Sequence, residues 1–385
     1  MAWPLAVVIG GIGKLPLAGL SLYYLHYIVG LQALGYDVHY VERQNTPDDC
    51  YDPRLGAMTS DPDYALHYLE TVLPSFGITR QRFSFVDRGD VCHGSGWKSL
   101  HTALDRADFV LTVADPTWFP ELERCGRRAF VDGDPLFTQV AMATGEGSRA
   151  VAPTHYDVLF TYGVRIGKPD CALPSAGRTW LPTRPVVATK LWKATPTVGA
   201  LPVSVLMHWA AGSDVTYAGQ VYGHKDREFE RFIDLPQRTP QALVLAVGGR
   251  KAPRDRVRAH GWTLVDPLVA TRTIKAYQAF VSASKADLGI AKHAYVASRC
   301  GWFSDRSTCF LAAGRPVLHQ DTGFGEWLPT GEGVLAFSDL DGVVEGLRQI
   351  DLDYERHARA ARAIAEEQFE AAAVIGHMLD EAGFR

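Results

Sequence analysis

Two places in this 385-residue chain hold residues whose types and spacing could do chemistry. In the second half, the run Ser298-Arg-Cys-Gly-Trp-Phe-Ser-Asp-Arg-Ser-Thr-Cys-Phe-Leu-Ala-Ala-Gly-Arg-Pro-Val-Leu-His-Gln-Asp-Thr-Gly-Phe324 reads as a turn, a helix from Asp305 to Ala313, a stop at Gly314, a strand at Val317 and a polar loop. Ser304 is a natural N-cap. A helix that opens with Ser304, Arg306, Ser307 and Thr308 offers free N–H groups, hydroxyls and a guanidinium to the space in front of it, which suits a diphosphate. The same residues also make an ordinary capped helix. In the first half, Ala129-Phe-Val-Asp132 reads as a strand that ends in a carboxylate, followed by Gly133-Asp134-Pro135. A carboxylate at a strand's carboxyl end faces a cleft, where Asp132 could accept the proton of an acceptor hydroxyl or amine. Asp134 reads first as an N-cap with Pro135 at the first helical position, and second as a partner in that chemistry. His93, in the loop Asp90–Gly96, and Asp115 are the alternatives for the base.

These groups need a scaffold, and the hydrophobic pattern supplies one. Leu5-Ala-Val-Val-Ile9 is a strand buried on both faces, Gly10-Gly-Ile-Gly13 turns the chain, and helical spacing runs from Leu20 until Gly35 stops it. Asp37–Glu42 then completes a βαβ unit. Further strands are expected at Phe83–Asp87, Asp108–Val113, Arg128–Asp132 and Asp157–Tyr162, and the rhythm implies a parallel, doubly wound sheet. Periodicity is lost in the Pro- and Thr-rich stretch from Gly177 to Thr197, the expected linker. The pattern restarts at Val203–Met207, Leu243–Val247, Thr263–Val265, Leu288–Ile290 and Pro316–Leu318. Amphipathic helical material fills Tyr354–Phe384. The expectation is two Rossmann-like α/β domains, residues 1–190 and 198–365, with 366–385 crossing back to the first.

Composition removes several classes. Lys+Arg 39 against Asp+Glu 43 gives a net charge of -4, the wrong sign for holding a long phosphate backbone, so no nucleic-acid partner is expected. The six cysteines show no CxxC or Cys/His ligand spacing, which predicts no metal site and reduced thiols in a cytoplasm. Leu15–Tyr36 has no Asp, Glu, Lys or Arg, but Pro16, Gly19 and the polar Tyr23, Tyr24, His26, Tyr27 and Gln32 argue against a membrane span. His26 reads as a core histidine. The glycine loop gives Gly11-Ile-Gly13-Lys-Leu-Pro16, with proline at the third glycine of a dinucleotide fingerprint, which counts against a dehydrogenase although Glu42 ends the second strand where a ribose-binding carboxylate would sit.

The segment Lys292–Leu328 resembles the donor-nucleotide signature of GT-B glycosyltransferases, with its glycine-containing turn, helix ending in Ala-Ala-Gly-Arg-Pro-Val and following loop. Tyr222–Phe229, Ala291–Val296, Asp132–Gln139 and Tyr23–Leu31 are similar to segments of a little-described bacterial branch, so the likeness spans most of the chain. It implies two facing Rossmann-like domains, with a nucleotide-diphosphate sugar, UDP-linked, on the second and a small-molecule or glycan-precursor acceptor on the first. It further implies no bound metal, so fixed cations must meet the departing diphosphate. Arg306, Lys292, Lys225 and Arg250 are the candidates, Lys292 because it follows a strand at its carboxyl end; solvated surface charge is the plain alternative, above all for Lys225 and Arg250. The basic run Arg250–Arg258 reads mostly as a solvated helix start. Asp305 is awkward beside a diphosphate, and is read as orienting Arg306 or contacting the ribose. Asp321, Thr322 and Gly323 would face the donor sugar, or form an Asp-x-Gly turn. One departure stands out: many retaining members carry a ribose-binding Glu where this chain has Cys309. A nucleotide-sugar epimerase or hydrolase of the same fold, and a non-catalytic sugar-nucleotide-binding protein, are the competing readings.

Overall fold

The apolar runs pair as two separate sheets. The computed structural model describes residues 3–194, 200–210 and 212–385. Its first sheet contains β1 (Leu5–Ile9), β2 (Asp37–Arg43), β3 (Phe83–Val86), β4 (Cys92–Gly94), β5 (Phe109–Val113), β6 (Arg128–Asp132), β7 (Val158–Thr161) and β8 (Leu181–Pro182), in the order β8-β7-β6-β5-β1-β2-β3-β4. Only β4 is antiparallel to its neighbour. The second sheet contains β9 (Val203–His208), β10 (Leu243–Gly248), β11 (Thr263–Val265), β12 (Ala286–Gly289), β13 (Val317–Gln320) and β14 (Val334–Phe337), all parallel, in the order β11-β10-β9-β12-β13-β14. Each sheet reverses its winding beside its first strand, between β1 and β5 and between β9 and β12. The crevice at the carboxyl ends of such strands is where doubly wound sheets take ligands.

The expected parallel sheets are therefore present in both halves. Within these two sheets the strands without a clear sequence signal are β4, β8 and β14, all at sheet edges, where pairing on one side asks for only a short run. Seven helices matter for the site: α1 (Ala18–Ala33), α2 (Phe137–Thr144), α3 (Lys225–Phe229), α4 (His293–Ser298), α5 (Asp305–Ala312), α6 (Tyr354–Gln368) and α7 (Ala371–Glu381).

Helix α1 is buried from Ser21 to Leu31, which explains its lack of charge. The sheet covers one side and α7 the other, so closely that a Cβ on Gly30 would lie 2.6 Å from Ile375 Cδ1. Among the described residues no helix is long and apolar enough to cross a membrane. His26 is a core residue of α1: its Nδ1 bonds the Val186 carbonyl at 3.2 Å, and burial lowers the imidazole to about 3.

The Pro- and Thr-rich stretch is not a loose tether where it is described. It adds β8 to the first sheet, buries Trp180, Val186, Val187 and Trp192, and bridges to Glu370 just before α7. The end of the expected linker and residue 198, the expected start of the second domain, lie outside the described residues.

The glycine loop after β1 has its own occupant. Glu42 is fully buried, and its two oxygens accept from the Gly13 N–H at 2.7 Å and the Lys14 N–H at 2.9 Å, while the Tyr40 hydroxyl donates to it at 2.7 Å. Backbone amides that would cradle a pyrophosphate are thereby satisfied within the protein, which removes the physical basis of the dinucleotide reading.

Candidate functional site

The two sheets meet at their carboxyl ends. Past β6, Asp134 reaches Lys292, which follows β12: the ammonium lies 2.7 and 2.8 Å from the two carboxylate oxygens. The Tyr295 hydroxyl of α4 donates to the same carboxylate, and the Trp302 indole donates to the Gly133 carbonyl at 3.1 Å. Tyr295 and Trp302 pack with ring centroids 4.4 Å apart and planes tilted by 33°. On one flank, Arg165 from the loop after β7 inserts beneath Gly301 and Gly323, donates to the Arg299 carbonyl at 2.7 Å and pairs with Asp170 and Glu326. A Cβ on Gly323 would lie 2.7 Å from Arg165 Cδ, and its φ of +89° is itself a glycine conformation.

On the second-sheet side, α5 starts at Asp305 with Ser304 at the N-cap position, as the sequence predicts, although its hydroxyl accepts no capping hydrogen bond, and Gly314 at φ +70° ends it. The side chains of this helix start are committed inward. Arg306 donates to both oxygens of Asp287 at 3.2 and 3.1 Å and to the Leu206 carbonyl at 2.6 Å. Ser307 donates to Asp287 at 2.6 Å, and Thr308 to the Asp305 carbonyl at 2.7 Å. Asp305 does not orient Arg306, whose carboxylate partner is Asp287. Burial raises the Asp305 carboxyl against the opposing pull of Arg306 and Lys225.

Lys225 stands apart. It opens α3 half-buried, with no hydrogen-bond or ion-pair partner among the described residues. Burial, then the positive charges of Arg306 and Lys292, push its amine down to about 7. Arg250 is exposed in the loop after β10. In the run that follows it, Arg256 and Arg258 pair with Glu230 and Asp255 at the surface, as a solvated helix does. Asp321 closes an Asp-x-Gly turn by accepting the Gly323 N–H at 2.8 Å, and buried Thr322 donates to the Trp302 carbonyl at 2.5 Å. The Arg165 side chain lies against the neighbouring Gly323.

On the first-sheet side the structure corrects two expectations. Asp132 does not face the cleft. It is 0% exposed and accepts from Gln139 Nε2 at 2.7 Å, Thr138 Oγ1 at 3.1 Å and Thr161 Oγ1 at 3.2 Å, so the strand-end carboxylate fastens the start of α2 to β7. Burial raises its carboxyl to about 6. Asp134 is not an N-cap, because α2 begins only at Phe137, after Leu136 at φ +81°. The carboxylate open to the cleft is therefore Asp134, with 30% of its side chain exposed. His93 lies on β4, hydrogen-bonded to Asp87 at 2.7 Å. It is five strand steps from β6, ~24 Å at ordinary strand spacing, and is not brought to the site. Asp115 is at the β1/β5 crevice, half-exposed, with Arg149 at 3.7 Å and Lys14 at 4.0 Å.

Sequence reasoning passed over Asp287, Arg149, Tyr295 and Lys14. Only Asp287 carried a signal, as a carboxylate inside a strand buried on both faces, which demands a buried cation. Among the described residues no group of three or more His, Cys, Asp or Glu side chains could hold a metal ion.

No protein-family model and no curated protein matches this chain. Solved structures do. An alpha-glucosyltransferase in complex with UDP and a 13-mer DNA containing an HMU base superposes with TM-score 0.58 at 9% identity, over 100% of both chains. Anabaena HepE in complex with UDP and glucose gives TM-score 0.59 at 10% identity, over 99% of this chain and 100% of that one. A Listeria monocytogenes protein designated a UDP-N-acetylglucosamine 2-epimerase gives 0.51 at 12% identity, over 100% and 97%. The sheet order, the facing carboxyl ends, the returning C-terminal helices and these full-length superpositions agree: the chain has the GT-B fold.

Proposed function

We propose that this protein transfers a sugar from a nucleotide-diphosphate sugar, UDP-linked, to a small-molecule or glycan-precursor acceptor, with side-chain cations rather than a metal ion at the diphosphate. The observation that carries this reading is Lys225. Arg306 is matched by Asp287 and Lys292 by Asp134, whereas the Lys225 ammonium makes no ion pair or hydrogen bond among the described residues and meets Asp287 and Asp305 only at longer range. A cation without a direct partner beside two others, at the crevice of a doubly wound sheet, suits a multiply charged anion. Fixed positive charge there stabilises the diphosphate as it departs. UDP is common to the HepE and alpha-glucosyltransferase complexes, which supports it as the nucleotide. The likeness to the Listeria protein keeps a second reading open, in which a UDP-sugar is epimerised or hydrolysed with no separate acceptor.

UDP is expected to raise the melting temperature in the presence of a chelator, by the equivalent of about 2.7 kcal/mol when its concentration is about 100 times Kd. Stabilisation that disappears with the chelator and returns with magnesium or manganese would overturn the metal-free site. Incubation with UDP-sugar alone, followed by NMR, separates the two readings: epimerisation, or hydrolysis as fast as turnover with an acceptor, favours the second, whereas slow hydrolysis with water in the acceptor's place is expected of a transferase.

Lys225→Ala is expected to weaken UDP binding by about ten- to a hundredfold and leave uridine binding unchanged, the scale of one charged hydrogen bond. Equal losses for UDP and uridine would remove Lys225 from the diphosphate. The amine loses its charge as pH rises through about 7 in the free protein. UDP affinity should therefore fall between pH 7 and 9, by at most about tenfold per unit, with a proton taken up on binding. Calorimetry in buffers of different ionisation heat measures that proton; none taken up at pH 8 would contradict the assignment.

A further inference from the structure

Two of the three N–H donors of the Lys292 ammonium are already committed to one carboxylate. Both carboxylate oxygens of Asp134 hold it, and the contact crosses between the sheets. In the functional reading above, the same ammonium belongs to the positive field that receives the donor. We propose that Asp134 is the resident counter-ion of Lys292, that the donor's diphosphate displaces it, and that this exchange frees the Asp134 carboxylate to take the acceptor's proton. The proposal rests on the donor reading and adds to it an order of events: donor first, base second.

The surroundings suit an exchange. The ammonium sits over the rings of Phe137 and Tyr295, 4.7 and 5.4 Å from their centroids, so aromatic faces hold the cation near the site while its anion changes. Asp134 keeps the Tyr295 hydroxyl, and Arg149 lies 3.9 Å away. Burial by itself would raise the Asp134 carboxyl, but Lys292 and Arg149 hold it below the ordinary range, where it is a poor base. Without Lys292 the effect of burial gains weight and the carboxylate becomes more basic. It then takes the proton from the acceptor O–H or N–H. The acceptor's electron pair forms the bond to the anomeric carbon as the bond from that carbon to the phosphate oxygen breaks. Its electron pair leaves on the diphosphate, held by Lys225 and Lys292.

The test is a double-variant cycle read by UDP calorimetry on the full chain: wild type, Asp134→Asn, Lys292→Gln and both together. Asp134→Asn should bind UDP about tenfold tighter, because no resident anion competes, and the gain should vanish in the Lys292→Gln background. The same Asp134→Asn variant should hydrolyse UDP-glucose about a hundredfold more slowly than wild type despite its tighter binding. If Asp134→Asn does not fold, Asp134→Ser enters the cycle in its place, keeping a hydroxyl for Lys292 and Tyr295. Unchanged UDP affinity in the neutral variant, a gain that survives Lys292→Gln, or undiminished hydrolysis each overturn the exchange. A wild-type protein that binds no UDP at all overturns the donor reading itself, which is a separate outcome.

Discussion

Arg306→Ala is expected to lose about 3–5 kcal/mol of folding stability, a large share of what holds a domain together. The reason is Asp287, which is 0% exposed on β12 and receives two hydrogen bonds from the guanidinium and one from Ser307. Removing the cation leaves a carboxylate in the sheet with a single hydroxyl, and a buried unpaired charge costs far more than the pair contributed. Pairing Arg306→Met with Asp287→Leu should recover most of the loss, since apolar groups of similar volume satisfy the site without charge. Urea denaturation measures both. A loss below about 1 kcal/mol for Arg306→Ala, the scale of an exposed pair, would mean that the ion pair is open to water. The sequence points to a different phenotype for this residue, selective loss of diphosphate affinity, and the two are separable because UDP binding can be measured on whatever fraction folds.

Asp132→Asn is expected to fold, to keep its turnover and to be more stable than the wild type at neutral pH. One oxygen of Asp132 accepts from Gln139 and Thr161, and the other faces the Thr138 hydroxyl, which can accept as well as donate. An asparagine carbonyl replaces the first oxygen and its amide the second, so no partner is lost. The carboxyl is raised to about 6 by burial, above its ordinary value near 4. A raised carboxyl contributes stability below the unfolded value and loses it as pH climbs through the folded one, here from about 4 to 6. At pH 7.5 the wild type therefore holds a buried charge that the amide does not, worth about 2–3 kcal/mol, and the variant's stability should be flatter across that window. Turnover reduced by about 10²–10⁴ with UDP affinity intact would restore Asp132 as the base.

The Asp132–Asp134 pair shows where local reading stops. The strand Arg128–Asp132 was legible because five residues of one pattern settle their own conformation, and the same holds for the N-cap at Ser304, the stop at Gly314 and the all-round burial of α1. Helical and strand periods, caps and glycine stops act within a few residues, so the doubly wound character of both halves could be read directly. The partners of charged side chains could not. Lys292 and Asp134 are 158 residues apart, Arg306 and Asp287 sit on different elements, and Glu42 finds its amides in a loop 29 residues before it. In each case the chain contains more than one eligible counter-ion. The choice falls to whichever one the packing of two sheets, end to end, brings within about 3 Å, because a buried charge tolerates no vacancy and a hydrogen bond no longer reach. The types of residue that could meet a diphosphate or take a proton were set by the sequence. Which of them remain open to the cleft, Lys225 without a direct partner and Asp134 in a partly exposed pair with Lys292 rather than the buried Arg306 and Asp132, was set by the tertiary structure, since only it decides which polar groups are satisfied out of reach of a ligand.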